Sequence, residues 1–289
     1  MDQSFEISGT TRLAGIFAHP AKHSISPKMH NFAFKLQQID ARYLAFDILP
    51  EQLAASIQSI RSLNLLGVNL SMPHKQNVLQ YLDELSESAA LIGAVNTIVN
   101  EEGYLIGHNT DGIGFMRSLR EIDLNIIGKE ITILGAGGAS TAIICQAALD
   151  GVKKINVISR LGANFAKLEN KITEIQEKTA CQIVLIDANQ EAASKTACDE
   201  SCLLVNGTSV GMGDFENQIP LIDARWLRKE LAVCDIIYHP AETRLLKQAK
   251  ATGAKTANGL GMLFYQGAAA FELWTKKEMP DQVINEIQK

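Results

Sequence analysis

The chain has 289 residues, 46% apolar and 20% charged, and its 27 basic against 32 acidic side chains leave a net charge of −5. This is ordinary globular composition, which excludes collagen, disorder and small disulfide scaffolds, and at roughly 150 residues per domain the length suggests two domains, each with its own core. A mild negative balance without a lysine or arginine tract argues against nucleic acid and membrane as partners.

The opening stretch MDQSFEISG has neither the basic nor the apolar region of a secretory signal, and no apolar run reaches the roughly 18 residues of a membrane span. A cytoplasmic protein is expected. Strands follow at Arg12–Phe17, Ala41–Asp47 and Gly67–Ser71, with helices at Pro27–Gln37 and Pro50–Ser62 between them. In the first helix Ser26 is placed to cap, Pro27 suits the first helical position, and Met29, Phe32, Ala33 and Leu36 repeat at helical spacing, predicting one buried face. Gly107–Asp111 breaks the pattern before the amphipathic Ile113–Leu124, which suggests a hinge.

A second series of strands runs Glu130–Leu134, Lys154–Ser159, Gln182–Asp187, Leu203–Asn206 and Val233–Ile237, alternating with helical segments. Such alternation predicts an α/β fold with a Rossmann-type, doubly wound parallel sheet. The apolar helix Gly261–Trp274 then closes the chain, and a closing helix of this kind often packs back on the first domain. The predicted division is therefore an N-terminal α/β substrate domain, residues 1–111 plus 258–289, and a dinucleotide domain, residues 112–257. Five cysteines (Cys145, Cys181, Cys198, Cys202, Cys234) form no Cys-x-x-Cys and have no nearby histidine pair, so reduced structural thiols are expected, with Cys198 and Cys202 as the alternative redox pair. No metal site is predicted, because Pro20 works against His19 and His23 sharing a helix face.

Chemistry enters first at Gly135-Ala136-Gly137-Gly138-Ala139, where a buried strand runs into glycines and then into the helix Thr141–Leu149. Glycines here permit a tight turn and let backbone N–H groups approach a pyrophosphate, although methyltransferases use the same device. About 20 residues on, where NAD enzymes place an acidic residue for the ribose, stand Ser159 and Arg160. Arginine suits a 2′-phosphate, which favours NADP over NAD. In the first domain Asn69–Lys75 ends a strand and starts a helix, which puts polar side chains at the carboxyl edge of a sheet, where ligands bind. Lys75 there can act as general acid or base if partial burial lowers its pKa, or hold a substrate oxygen, with a plain exposed lysine as the alternative, and Asp111 is either its partner or the cap of the next helix. Ser24 and Ser26 offer hydroxyls to a polyol or carboxylate.

Taken together, His23–Pro27 with His30-Asn31, Asn69–Lys75, Gly93–Thr97, Asn109–Gly112, Gly135–Ala139, Asn206–Met212 and Gly259–Leu263 with Gln266-Gly267 resemble the shikimate dehydrogenase family over about residues 12 to 280. The resemblance implies reversible hydride transfer between NADP(H) and 3-dehydroshikimate, giving shikimate, in a cleft between the two domains. It implies Lys75 and Asp111 as the catalytic pair, and Ser24, Ser26, Ser71, Lys75, Asn96, Asp111 and Gln266 as substrate ligands. The cofactor set it implies is Gly135, Ala136, Gly137, Gly138, Ala139, Ser159, Arg160, Thr208, Tyr238 and Gly261. Family members that prefer NADP often carry Asn-Arg-Thr and a further arginine after the second strand. Here Ser159-Arg160-Leu161-Gly162 is followed by Ala163 and Asn164. NAD therefore stays open, as does a quinate/shikimate dehydrogenase using either cofactor; a non-catalytic ligand sensor is the rival from another class. His74 and His108 receive no role, and the chain is expected to be a monomer or homodimer.

Overall fold

The computed structural model describes residues 6–287, which fold into two compact units, one running to Thr110 and resuming at Gln266, the other spanning Asp111–Tyr265. Among the described residues no helix is long and apolar enough to cross a membrane.

The first unit contains β1 (Arg12–Ala18), α1 (Ser26–Leu36), β2 (Ala41–Asp47), α2 (Leu53–Ser62), β3 (Gly67–Leu70), α3 (His74–Asn77), β4 (Glu84–Leu85), α4 (Glu87–Ile92), β5 (Thr97–Glu101) and β6 (Tyr104–His108). Its sheet runs β2-β1-β3-β5-β6-β4. β1 lies parallel to β2 and β3, whereas β5 is antiparallel to β3 and to β6. The expected strands appear within a residue of their predicted ends, and the 50–62 segment opens as a 3₁₀ turn, Pro50–Gln52, before α2. The β5–β6 hairpin was not anticipated. Its two-residue turn, Glu102-Gly103, has φ of 53° and 94°, the doubly left-handed geometry whose twist matches the flanking strands. α2 buries Leu53, Ile57 and Ile60 on one stripe against Val68, Leu70 and Ile98. Each such aliphatic side chain contributes about 1.5–3 kcal/mol by leaving water.

Two expectations for α1 are corrected. Ile25, not Ser26, is the cap residue, and no side chain caps the helix; Ser26 is the first helical residue, with its N–H donating to Ser24 Oγ at 3.3 Å. The buried stripe is Ser26, Met29, His30, Ala33 and Phe34, which leaves Leu36 exposed. Aromatic packing decides this. His30 stacks on Tyr43 at a ring-centroid distance of 4.4 Å, and Phe34 meets Phe271 at 5.4 Å, drawing the helix round toward those rings.

The second unit begins with α5 (Asp111–Ser118), which continues as a 3₁₀ turn, Leu119–Ile122, in place of a single helix to Leu124. It then alternates β7 (Glu130–Leu134), α6 (Gly138–Leu149), β8 (Lys154–Ser159), α7 (Ala163–Lys178), β9 (Gln182–Asp187), α8 (Glu191–Glu200), β10 (Leu203–Asn206), β11 (Ala232–Asp235), α9 (Arg244–Ala251) and β12 (Thr256–Ala257). The six strands are all parallel, in the order β12-β11-β10-β7-β8-β9. Strand order thus reverses beside β7, which makes the sheet doubly wound with its switch point between β7 and β10. Both faces are covered, so strands read as continuous apolar runs: Ile131, Ile133, Val157, Ile158, Leu203, Leu204 and Val205 are all inaccessible to solvent. α10 (Leu260–Thr275) runs through the division at Gln266, and α11 (Gln282–Ile287) packs on α1 in the first unit. All five cysteines are free thiols, and burial pushes Cys198 up to about 12, far from the thiolate that a redox pair with Cys202 requires.

Candidate active site

In the first unit, the strand directions gather the polar segments at one sheet edge. β1 and β3 both end there, so Ser24 and Ser26 follow one strand and Ser71 the other. Because β5 is antiparallel to β3, with Thr97 opposite Asn69, the start of β5 lies at this same edge and brings Asn96 to it. β6 ends opposite Thr97 at His108 and so delivers Asn109 and Thr110 there as well. α3 starts as the chain leaves β3, and the Lys75 carbonyl accepts the Val95 N–H at 2.8 Å, which holds the lysine's segment against the Gly93–Asn96 turn. Ser71 is half-buried, with its N–H on the Phe17 carbonyl at 3.1 Å. Gln266, half-buried, lies on α10. Hydroxyl, amide and ammonium groups at a carboxyl edge suit a small, oxygen-rich ligand.

Asn96 is almost fully buried, and its amide is held in place. Its Oδ1 accepts the Thr110 backbone N–H at 2.8 Å and the Thr97 hydroxyl at 3.0 Å, while its Nδ2 donates to Thr110 Oγ1 at 3.0 Å. His74 acquires a structural role: it is fully buried, and its Nε2 meets the Ile48 carbonyl at 2.8 Å, tying α3 to the loop after β2. His108 is partly buried, and burial, aided by the nearby Lys276 charge, pulls its pKa down. His19 bonds Asp47 at 2.6 Å, across the ends of β1 and β2.

In the second unit the glycine turn sits at the switch point. Gly135 has φ of +93°, and a Cβ on it would lie 2.7 Å from Thr208 Cγ2. By contrast, a Cβ on Gly137 or Gly138 would meet nothing within 4 Å, so the space above the start of α6 is open. α6 begins at Gly138, three residues earlier than expected, so its first turn carries N–H groups with no intrahelical acceptor, at the positive end of the helix dipole. These residues fit a dinucleotide pyrophosphate. Ser159 is buried at the end of β8, and Arg160 next to it is exposed. Asp111 is the first residue of α5, Tyr238 is half-exposed beyond β11, and Gly261 is the second residue of α10, where a Cβ would come within 2.9 Å of Ser118 Cβ.

Thr208 is held by a network that the motifs did not reveal. Its N–H and hydroxyl both donate to Asn206 Oδ1, at 3.0 and 2.7 Å, and Asn206 Nδ2 donates in turn to the Val210 carbonyl and to Asp235 Oδ1, each at 3.0 Å. Asp235 also accepts the Ile237 N–H at 3.1 Å and the Thr243 hydroxyl at 2.8 Å. Burial raises its pKa, against the opposing pull of those bonds. The available signal was a polar residue ending each of two apolar strands, since a buried polar group must find partners.

A family model described as the shikimate dehydrogenase substrate binding domain matches residues 16–98, and one described as the shikimate 5'-dehydrogenase C-terminal domain matches residues 259–287. A curated relative, the shikimate dehydrogenase (NADP(+)) of Listeria monocytogenes, is 49% identical over 281 residues, covering 97% of each chain. A solved structure of shikimate 5-dehydrogenase from Listeria monocytogenes, in complex with shikimate and NAD, is 48% identical with a TM-score of 0.95 over 98% of each chain. The quinate dehydrogenase of Corynebacterium glutamicum, solved in complex with NAD, is 29% identical with a TM-score of 0.86 over 96% of this chain and 99% of that one.

Proposed function

The chain belongs to the shikimate dehydrogenase family, and from that premise we propose that it catalyses the reversible, NADP(H)-dependent reduction of 3-dehydroshikimate to shikimate, on the route to chorismate and the aromatic amino acids. The observation that carries this reading is the convergence of Ser24, Ser26, Ser71, Lys75 and Asn96 at one edge of the first sheet. Residues 1–111 with 258–289 are the substrate domain in this reading, and residues 112–257 the dinucleotide domain.

The reduced nicotinamide, when bound, supplies a hydride to the ketone carbon. The protein's task is then the oxygen, which gains negative charge as the carbon is reduced. Lys75 meets that charge with its ammonium and delivers the proton that completes the alcohol, and Asp111 is the other member of the catalytic pair. Ser24 and Ser26 take the carboxylate, while Ser71, Asn96 and Gln266 take ring oxygens. Gly135–Ala139 hold the pyrophosphate, Ser159 and Arg160 the adenosine ribose and its 2′-phosphate, and Thr208, Tyr238 and Gly261 the nicotinamide end.

A second reading, a quinate/shikimate dehydrogenase using NAD or NADP, is favoured by one feature: Arg160 is the sole basic side chain in residues 159–164. Five free cysteines support a reducing compartment, hence a cytoplasmic enzyme; the reading takes it as a monomer or homodimer. The test is reduced-nicotinamide absorbance with shikimate or quinate against NADP or NAD. Turnover of shikimate with NADP alone is expected; appreciable quinate or NAD turnover moves the assignment to the second reading, and silence in all four combinations overturns both.

A further inference from the structure

Five buried polar residues of the first unit make a chain of hydrogen bonds in which backbone groups fix the orientation of both amides. Tyr43 Oη donates to Asn69 Oδ1 at 2.8 Å; Asn69 Nδ2 donates to Thr97 Oγ1 at 3.0 Å and to the Asn96 carbonyl at 3.2 Å; Thr97 Oγ1 donates to Asn96 Oδ1 at 3.0 Å. Two backbone groups fix the polarity. The Asn96 carbonyl can only accept, so Asn69 turns its NH₂ toward it and its oxygen toward Tyr43. The Thr110 N–H can only donate, so the Asn96 atom 2.8 Å away is Oδ1. The Thr97 hydroxyl, which accepts from Asn69, has Asn96 Oδ1 at 3.0 Å as its nearer acceptor and Thr110 Oγ1 at 3.4 Å as the farther one.

The far end of the chain is itself clamped. Asn31 pairs with the Tyr43 backbone as a strand would, Nδ2 to the carbonyl and Oδ1 from the N–H, both at 2.8 Å, and His30 stacks on the ring. Burial also pushes the Tyr43 phenol pKa well up, so it keeps its proton. Asn69 stands next to the end of β3, opposite Thr97, and the Tyr43 phenol also bonds the Ser26 side chain; a cluster of fully used polar groups in a core is costly to build unless something depends on it.

We propose that Tyr43, Asn69 and Thr97 are positioning residues that lock the Asn96 amide with its oxygen inward, so that Asn96 meets a substrate oxygen as a donor. This rests on the reading of Asn96 as a substrate ligand. The consequence is chemical. A ketone oxygen only accepts, whereas an alcohol oxygen accepts or donates, so an amide fixed as a donor serves the oxidised and reduced substrates alike. An amide free to flip would spend part of its time presenting an acceptor that repels the ketone.

The test compares wild type, Tyr43→Phe, Asn96→Ala and the double variant in steady-state kinetics. Tyr43→Phe is expected to raise the shikimate KM about 3–10-fold, the worth of one such hydrogen bond, while kcat and the NADP KM stay within about 2-fold. In the Asn96→Ala background the rise is expected to shrink to the part carried by the Tyr43 contact with Ser26. Should Tyr43→Phe fail to fold, Thr97→Val and Thr97→Ser replace it, and serine, which keeps the hydroxyl, must retain the wild-type KM where valine loses it. A second readout needs no substrate: the Asn96 side-chain NH₂ signals in nitrogen-15 NMR are expected to exchange slowly in wild type and faster in Tyr43→Phe. An unchanged shikimate KM, an equal rise in the Asn96→Ala background, or NH₂ exchange indifferent to Tyr43 overturns the proposal. Wild type that ignores shikimate yet shows the slow NH₂ exchange overturns the substrate reading alone.

Discussion

The carboxylate of Asp235 holds the side-chain amide of Asn206 at 3.0 Å inside the second unit, and every group that bonds it there is neutral. Asn206 passes the constraint to Thr208, and Asp235 passes it to the Ile237 N–H, so two loops at the carboxyl edge of the sheet share one anchor.

This arrangement predicts a marked difference between two substitutions. In Asp235→Asn the oxygen can keep Asn206 and Ile237 while the new NH₂ donates to Thr243, whose hydroxyl turns to accept; stability at pH 7 is expected to stay within about 1 kcal/mol of wild type. Asp235→Ala leaves those donors unpaired in a buried site and is expected to cost about 2–4 kcal/mol. The pH dependence follows from the direction of the shift. Burial raises the folded pKa, so the carboxylate's stability is greatest below its unfolded value near 4 and falls as pH rises through the folded value. Denaturant titrations from pH 4 upward should therefore show wild type losing ground relative to Asp235→Asn. Parallel curves contradict the raised pKa.

His30 gives the opposite dependence. It is completely buried among rings, and burial lowers its pKa from 6.5 to about 3. Above pH 6.5 both folded and unfolded chains are neutral there. Below it the unfolded chain takes a proton that the folded one refuses, so stability falls down to about pH 3. The loss at pH 5 is about 2 kcal/mol. In His30→Phe, which keeps a ring against Tyr43, this slope should vanish, and equal acid sensitivity of variant and wild type would show that His30 does not carry it.

Neighbouring glycines of one turn separate folding from binding. Gly135→Ala forces a left-handed φ on alanine and a Cβ to 2.7 Å from Thr208, so lower thermal stability and lower soluble yield are expected. Gly137 has φ of −80° and ψ of 179°, which alanine adopts freely, and the added Cβ enters open space. Gly137→Ala should melt at or slightly above the wild-type temperature and yet raise the NADP KM about 10-fold or more, because in the proposed reading the methyl stands where the pyrophosphate approaches. Unchanged cofactor affinity would place the dinucleotide elsewhere.

In the proposed reading Arg160 decides the cofactor. Exposed at the end of β8, it has the place and chemistry for a 2′-phosphate. Arg160→Ala is expected to raise the NADP KM about 10-fold or more and to leave the NAD KM within about 2-fold, as loss of one charge-assisted contact worth about 1.5–3 kcal/mol implies. A parallel rise for both cofactors would mean that the guanidinium stacks on the adenine and does not read the phosphate.

The second sheet was far more legible than the first. Glu130–Leu134, Lys154–Ser159, Gln182–Asp187 and Leu203–Asn206 could be bounded to the residue, because a strand covered on both faces is an unbroken apolar run between turn signals. β12, two residues long, has no period to detect. In the first sheet the β5–β6 hairpin was hidden by Asn96, Thr97, Asn100 and Asn109, polar residues that read as loop but are buried with their partners. The Glu102-Gly103 turn also lacks the Asn-Gly or Asp-Gly that marks such hairpins most strongly. Lys75 and the glycines were visible because they stand in local sequence motifs, a strand end running into a helix and a glycine turn. Tyr43, Asn69 and Asp235 act through other residues, so only their buried partners reveal them.

Lys75 provides the sharpest test of the chemistry. A proton donor contributes about 10²–10⁴-fold to rate, so Lys75→Ala is expected to lower kcat by that order while the NADP KM stays within a few-fold. Asp111→Asn should act in the same direction, and the double variant should fall little below the lysine variant, because members of a catalytic pair act as a unit. Shikimate deuterated at the carbon that loses hydride adds a second criterion. If Lys75 serves the proton transfer, its removal makes the chemical step rate-limiting, and the deuterium isotope effect on kcat should grow toward its intrinsic value. Near-normal turnover in Lys75→Ala, or a large kcat loss with no isotope effect, would remove Lys75 from the chemical step and leave it a role in binding alone.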